Sequence, residues 1–329
     1  MGSIPTSGFL SEKNFYILYL FLVEKMLKEK IFAWLALARP PFHTVGVLPF
    51  LLGTILAWQL EGVFRLDIFL WGTFGVILVL FTTYFAGEYW DYDENTIAMK
   101  LHKSRFAGGS RVLQKGLLSP KVALWSSIIF LIIAAIMGLI LQFIYKTGIL
   151  TIPFGFIGLL GGFFYSTHPI RWVRTGFGEL WIAFCFGWLT VAVGYYLQTG
   201  TISPIIHWIA IPIGLTIYNV ILLNEYPDYI ADKKTEKNNI VVRMGRERAI
   251  YLYIIIAFSS WIAMIFTLRQ GVSLNMLWLY IPVLLISIMI VIFLTRGQWQ
   301  NQQILEKLCG ANILVNLGTT ASFIIAFLS

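Results

Sequence analysis

Residues 203–223 read SPIIHWIAIPIGLTIYNVILL, and residues 224–232 continue as NEYPDYIAD. The first stretch is 21 residues with no Asp, Glu, Lys or Arg. That is the length of helix needed to cross the hydrocarbon core of a bilayer. The second stretch places Asn224, Asp228 and Asp232 four residues apart. On a helix this spacing lines an amide and two carboxylates along one face, about a turn apart. Pro227 bends such a helix locally and leaves the shared face in place.

Working outward, apolar runs of similar length recur. Nine are expected as spans: 41–60, 66–89, 120–143, 148–165, 177–198, 203–223, 249–269, 274–295 and 308–328. They lack period-2 alternation, so the expected fold is all-α, a polytopic transmembrane bundle, with no barrel. The whole chain of 329 residues is only 12% charged and 58% hydrophobic. Soluble domains carry about a quarter charged residues. The composition therefore excludes a soluble globule, a disordered chain, a coiled coil and a nucleic-acid-binding module. The segment before the first span, 11–33, mixes aromatic residues with Glu24, Lys25, Lys28, Glu29 and Lys30 and reads as an interfacial amphipathic helix. Residues 1–40 thus form an N-terminal segment, and 41–329 form one transmembrane domain. Cys185 and Cys309 lie in apolar runs with no CxxC, so they imply neither a disulfide framework nor a zinc site.

The connections alternate in charge. Of 24 Lys and Arg, all but Arg65, Lys146 and Arg269 fall in the N-terminal segment and in the loops near 90–120, 166–176, 224–248 and 296–307. This positive-inside asymmetry places the N-terminus and the large polar loops in the cytoplasm, the cytoplasmic membrane being the one meant for a prokaryote. Nine spans then put the C-terminus on the opposite side.

A second acidic segment ends the second span: Gly87-Glu88-Tyr89-Trp90-Asp91-Tyr92-Asp93-Glu94-Asn95. Asp91 and Asp228 are four spans apart, as expected of two four-helix pseudo-repeats followed by a final helix. Eight of the 16 acids (Glu88, Asp91, Asp93, Glu94, Glu225, Asp228, Asp232 and Glu236) lie in or beside these two segments. Each leads into a basic loop. The first contains Lys100, Lys103, Arg105, Arg111 and Lys115 around Gly108-Gly109-Ser110, and the second Lys233, Lys234, Lys237, Arg243, Arg246 and Arg248. Carboxylates at helical spacing suit Mg²⁺, which takes a few protein oxygens plus water and phosphate. Cations beside them suit phosphate oxygens, and a Gly-Gly-Ser turn can offer backbone N–H groups to an anion. Together they fit a Mg²⁺–diphosphate. A secondary transporter, with its site at mid-membrane, fits less well, because these acids gather at one face.

These residues resemble the UbiA superfamily of intramembrane prenyltransferases, over nearly the whole chain. Asn224, Asp228 and Asp232 match its Asn-x-x-x-Asp-x-x-x-Asp motif, and 237–245 (KNNIVVRMG) is similar to the stretch that follows it. Residues 106–119 (FAGGSRVLQKGLLS) resemble the menaquinone branch, which prenylates 1,4-dihydroxy-2-naphthoate. So do Tyr165-Ser166-Thr167-His168-Pro169, Arg171, Arg174 and Arg39-Pro40. The first motif departs from the family pattern: Gly87, Glu88 and Asn95 replace Asn, Asp and Asp, and only Asp91 is kept, with Asp93 or Glu94 as possible replacements for the missing carboxylate.

The resemblance implies Mg²⁺-dependent transfer from a polyprenyl diphosphate to an aromatic acceptor inside a lipid bilayer. Asp91, Asp228 and Asp232 are the implied catalytic carboxylates and metal ligands, with Asn95 and Asn224 as supporting oxygens. Arg105, Arg111, Lys237 and Arg243 are expected on the diphosphate, and Arg39, Arg171 or Arg174 on an acceptor carboxylate. Tyr165, with Tyr84, Tyr89 and Tyr218, is expected to wall the pocket of an allylic cation. Within the superfamily, 4-hydroxybenzoate, homogentisate, a glycerol phosphate or a chlorin are the alternative acceptors.

Overall fold

The computed structural model describes residues 12–101 and 104–329; Lys103, one of the expected loop cations, lies outside them. Secondary structure among the described residues is helical throughout. In chain order the helices are α1 (Glu12–Ala38), α2 (Pro40–Glu61), α3 (Leu66–Trp90), α4 (Tyr92–Leu101), α5 (Pro120–Leu139), α6 (Thr151–Ser166), α7 (Gly178–Ala183), α8 (Thr190–Thr199), α9 (Pro204–Lys234), α10 (Ile240–Met244), α11 (Arg246–Thr267), α12 (Asn275–Thr295) and α13 (Gln302–Leu328). A π-helical stretch, Phe184–Leu189, joins α7 to α8 as one span, and another, Ile140–Ile144, extends α5.

Eight helical segments among the described residues are long and apolar enough to cross a bilayer. The ninth expected span, 148–165, is α6, which at 16 residues is shorter. Proline at the first helical position starts α2, α5 and α9, where its missing N–H is no loss. Left-handed Gly62 and Gly200 end α2 and α8. Ile129, Ile132, Ile136, Ile255, Phe258, Ile262, Trp278 and Leu285 are exposed on the outside of the bundle. In water that would be costly, but against lipid it is the expected surface.

Two devices hold the spans together. The first is close backbone approach: a Cβ on Gly53 would stand 2.1 Å from the Val191 carbonyl oxygen, so α2 and α8 touch along their backbones. The second is a buried polar lattice joining α9, α11 and α13. Asn219 Nδ2 donates to the Tyr253 carbonyl (3.1 Å), Asn312 Nδ2 to the Asn219 carbonyl (2.8 Å) and Tyr253 Oη to Asn312 Oδ1 (2.9 Å). With no water to compete inside a membrane, such bonds serve as interhelical ties.

The order of elements puts the ends of α3, α6 and α9 at one face. There α9 does not stop at the apolar run: it continues through Pro227 to Lys234, so the second acidic segment is helix. The first is nearly so. Asp91 caps α3, α4 starts at once, and the bonds Asp91 N to Gly87 O and Asn95 N to Asp91 O (2.9 Å each) keep the four-residue register across the junction.

Candidate active site

The first acidic segment is neutralised from three sides. Arg171 Nη2 donates to Asp91 Oδ1 (3.1 Å), Glu94 Oε1 (3.2 Å) and the Trp90 carbonyl (3.1 Å). Arg174 donates to the same Glu94 oxygen. Arg39 Nη2 donates to Glu88 Oε1 at 2.9 Å. Arg39 and Arg171 both adopt left-handed backbone, at φ 50° and 48°, a strained choice for a side-chain-bearing residue that the surrounding bonds must hold. The three arginines expected on an acceptor carboxylate are therefore engaged by the protein's own carboxylates. Arg39 and Arg174 keep about a quarter of their side chains exposed, at 27% and 28%. Of the two possible replacements for the missing carboxylate, Asp93 is exposed, and Glu94 is buried under its arginines. Asp91 Oδ2 accepts from Ser166 Oγ at 2.8 Å.

The second segment is met by backbone, amide and lysine, among others. Gly108 N donates to Asp228 Oδ2 at 2.8 Å, Asn239 Nδ2 to Asp232 Oδ2 at 2.7 Å, and Lys237 Nζ stands 3.6 Å from Asp232 Oδ1. Asn239 also caps α10, its Oδ1 accepting from Val242 N at 2.9 Å, so one side chain fixes both the helix start and the carboxylate. Asn224 Oδ1 is buried with no hydrogen-bond partner among the described residues, one turn before Asp228.

The glycine turn does offer N–H groups to anions, but to anions of the protein. Gly108 N takes Asp228 and Ser110 N takes Glu88 Oε1 (2.6 Å), so one turn bridges both acidic segments. Gly109 between them has φ +69°, and a Cβ there would stand 2.5 Å from Asn95 Nδ2. Only glycine allows both the backbone and the Asn95 contact.

Lys237 is the meeting point. It lies within electrostatic reach of Asp232, Asp91, Asp228 and Tyr165. Burial alone would lower its pKa, but the three carboxylates outweigh burial and hold it above the ordinary lysine value. Burial pushes the Asp91 carboxyl above its usual range, Lys237 opposing and Glu94 adding to the rise. The structure thus brings together Asp91, Asp228, Asp232, Lys237 and Tyr165, with Asn95 and Asn224 at the edge. It does not bring in Arg105, which is exposed while its backbone N–H donates to Glu306 Oε1 (2.6 Å). Arg243 is exposed too, Nε donating to the Asn238 carbonyl (2.7 Å) and its side chain lying against Gly176. Arg111 has left-handed backbone (φ 62°) beside the turn.

Asn239 and Ser166 are site residues to which sequence reasoning gave no individual role, while Ser110 acts through its N–H as the Gly-Gly-Ser turn led one to expect, on Glu88. Asn239 had a usable signal, an N-cap residue before an apolar turn. Ser166 had none beyond its place in the motif.

Below this face lies an apolar cavity of about 330 Å³ between α2, α3, α5, α6 and the α7–α8 span. Tyr165, Trp181 and Ile182 line its end nearest the acids, while Thr151, Leu141 and Leu197 line the other. Of the tyrosines expected as pocket walls, Tyr165 alone is part of this lining. Tyr84 is turned to the Phe42 carbonyl, to which its Oη donates at 3.2 Å.

A membrane bundle with carboxylates at one face above an apolar cavity has the architecture of an intramembrane prenyltransferase, and the comparisons with known proteins agree. The sequence profile of the UbiA prenyltransferase family matches residues 46–313, and the chain belongs to that family. It is similar to the 1,4-dihydroxy-2-naphthoate octaprenyltransferase of Bacillus subtilis, at 28% identity over 217 residues, 66% of this chain and 67% of that one. The protein of the same name from Haemophilus influenzae is 25% identical over 303 residues, 89% and 96% of the two chains. Among solved structures, a UbiA homologue from Archaeoglobus fulgidus bound to GPP and Mg²⁺ shares the fold, with a TM-score of 0.62 at 15% identity over 90% of this chain and 100% of that one. The chain is thus an enzyme, a prenyltransferase of the membrane.

Proposed function

We propose that this prenyltransferase joins a polyprenyl group to 1,4-dihydroxy-2-naphthoate, using Mg²⁺, at the face where the acidic segments meet. The observation that carries the reading is Lys237 set among carboxylates from two separate spans and beside Tyr165, which lines the apolar cavity. The relatives from Bacillus subtilis and Haemophilus influenzae, named for that acceptor, support it.

The donor set fits the metal. All candidate ligands are hard oxygens, and the Asn224 oxygen is buried without a partner. Among the described residues no three of His, Cys, Asp and Glu form a cage of their own. Mg²⁺ completes its shell from substrate phosphate and water. Asp228, Asp232 and Asn224, with Asp91 opposite, would hold it, and when bound it draws negative charge onto the leaving diphosphate.

The chain's own residues do the rest. Lys237 binds diphosphate oxygens and stabilises their growing charge as the allylic C–O bond breaks. Tyr165 turns an aromatic face toward the cationic carbon. The apolar walls keep out water that would quench it. The electron-rich ring carbon of the acceptor then attacks, a C–C bond forms, and carbon dioxide leaves from that carbon as the ring regains aromaticity. Arg39 and Arg174, each partly exposed beside a carboxylate of the first segment, would share their charge with the acceptor's carboxylate before it is lost. The 21-to-3 split of cations between the two sets of connections supports a cytoplasmic placement for this face.

The test is direct. Protein purified in detergent receives Mg²⁺, an allylic diphosphate and a panel of aromatic acids, and products are read by mass. A prenylated, decarboxylated naphthoate is expected. Product with another acceptor alone would overturn the choice of acceptor, and no Mg²⁺-dependent product would overturn the mechanism.

A further inference from the structure

Two buried carboxyl groups beside the site take no part in the chemistry above: Glu179 on α7 and Glu225 on α9, 2% and 9% exposed. They stand within hydrogen-bond reach of each other. A carboxyl group hidden from water is costly unless it is hydrogen-bonded, so its further partner shows what it is for. Glu179 Oε1 accepts from the backbone N–H of Ile240 at 2.7 Å. Ile240 is the first residue of α10, and a helix start leaves its first N–H groups without an internal partner. Asn239 takes the N–H of Val242. Glu179 reaches across from another span for that of Ile240.

The bond holds the bridge of residues 235–239 between α9 and α10, which carries Lys237. Lys237 N donates to the Asp232 carbonyl and Asn239 N to the Lys237 carbonyl, 2.9 Å each. Glu236 has left-handed backbone (φ 57°), a conformation that persists only where its surroundings hold it. The other end of the tie is fixed as well. A Cβ on Gly178, the residue before Glu179, would stand 3.0 Å from the Trp172 carbonyl oxygen and 3.1 Å from the Tyr165 ring. Thus α7 begins against the tyrosine that lines the cavity.

We infer that Glu179 is a positioning residue of the transfer reaction. By holding the start of α10 to α7 it fixes the Lys237 ammonium relative to Tyr165, and so sets where the diphosphate lies relative to the cavity that takes its allylic carbon. This deepens the proposed diphosphate site and rests on it. The Ile240 N–H asks only for an acceptor oxygen, which an amide has as well as a carboxylate. The role therefore needs the shape of Glu179 and not its charge.

The test is calorimetric titration of geranyl thiodiphosphate with Mg²⁺ on the full chain in detergent, which needs no acceptor. Ile240→Pro removes the donor alone: proline is tolerated at the first position of a helix, and Asn239 before it already has the extended backbone (φ −66°, ψ 173°) that a following proline requires. Glu179→Ala and Ile240→Pro should each weaken binding about 10-fold, as a displaced charge-assisted contact would. Glu179→Gln should bind within about twofold of wild type, because its amide oxygen keeps the bond. In a Lys237→Ala background the first two changes should add less than about twofold, since they act through the lysine. If Glu179→Ala does not fold, Ile240→Pro decides. Wild-type affinity in Ile240→Pro, binding in Glu179→Gln as weak as in Glu179→Ala, or effects that multiply with Lys237→Ala each overturn the proposal. Unchanged binding in Lys237→Ala itself overturns the diphosphate site and the positioning role together; weakened binding there with wild-type affinity in Ile240→Pro overturns the positioning role alone.

Discussion

The two acidic segments stand at equivalent places, each at the end of a span, yet the protein treats them differently. The first, around Asp91, is bound by three arginines from two other parts of the chain: Arg39 before α2, and Arg171 and Arg174 after α6. The partners of the second, around Asp228, include a glycine N–H, an asparagine amide and a lysine. Guanidinium pairs in a buried setting fix position, because each partner is costly to leave alone. A backbone N–H and an amide orient a carboxylate without bringing a charge of their own. The difference teaches a division of labour. The first segment is chiefly a clamp that ties α2, α3 and the loop after α6 together. The second keeps the full Asn-x-x-x-Asp-x-x-x-Asp pattern and holds the chemistry. The family pattern fails in the clamp, at Gly87, Glu88 and Asn95, and holds at Asn224, Asp228 and Asp232.

Substitutions can break this contrast, and the largest effect is expected in the second segment. Asp228→Asn keeps an oxygen for the Gly108 N–H but loses a charged ligand. Turnover should fall about a thousandfold, or some 4 kcal/mol of transition-state stabilisation, with Tm nearly unchanged. The clamp should respond in the opposite way. Arg171→Leu leaves Asp91 and Glu94 without their shared partner, at a cost of about 3 kcal/mol in stability, read as a drop in Tm in detergent. Lys237→Ala is next: KM for the prenyl diphosphate should rise about 30-fold, close to 2 kcal/mol for a lost charge-assisted contact, and Lys237→Arg should recover part of it. Smallest is Gly109→Ala. A Cβ at φ +69° and 2.5 Å from Asn95 Nδ2 should cost about 1 kcal/mol and lower turnover severalfold by shifting the turn that bridges both segments.

Much of this was legible in the sequence, and for a plain reason. Spans announce themselves as long apolar runs, because lipid admits little else. The second motif was legible through its four-residue period. The continuation of α9 through Pro227 to Lys234 was harder to see, since local propensity argues for a bend there and packing keeps the helix whole. The π-helical join at Phe184–Leu189 was not legible, because a slip in backbone hydrogen bonding carries no compositional mark. Two features of the site were hidden for related reasons. The partner of Asp228 is a backbone N–H, which every non-proline residue has. The partner of Asp91 is Arg171, 80 residues away, and a single chain says nothing about which distant charges pair. The arginines were therefore expected to await an acceptor, when their first partners are Glu88, Asp91 and Glu94.

The central claim, that the second segment with Lys237, and Asp91 opposite, holds the diphosphate and its metal while Glu88 and Glu94 of the first serve as clamp, is tested most directly by binding. Calorimetric titration of geranyl thiodiphosphate, with and without Mg²⁺, compares wild type with Asp232→Asn and Glu94→Gln. The expected result is Mg²⁺-dependent binding in wild type, its loss in Asp232→Asn, and its retention in Glu94→Gln despite a lower Tm. Mg²⁺-dependent binding of undiminished affinity in Asp232→Asn would contradict the account.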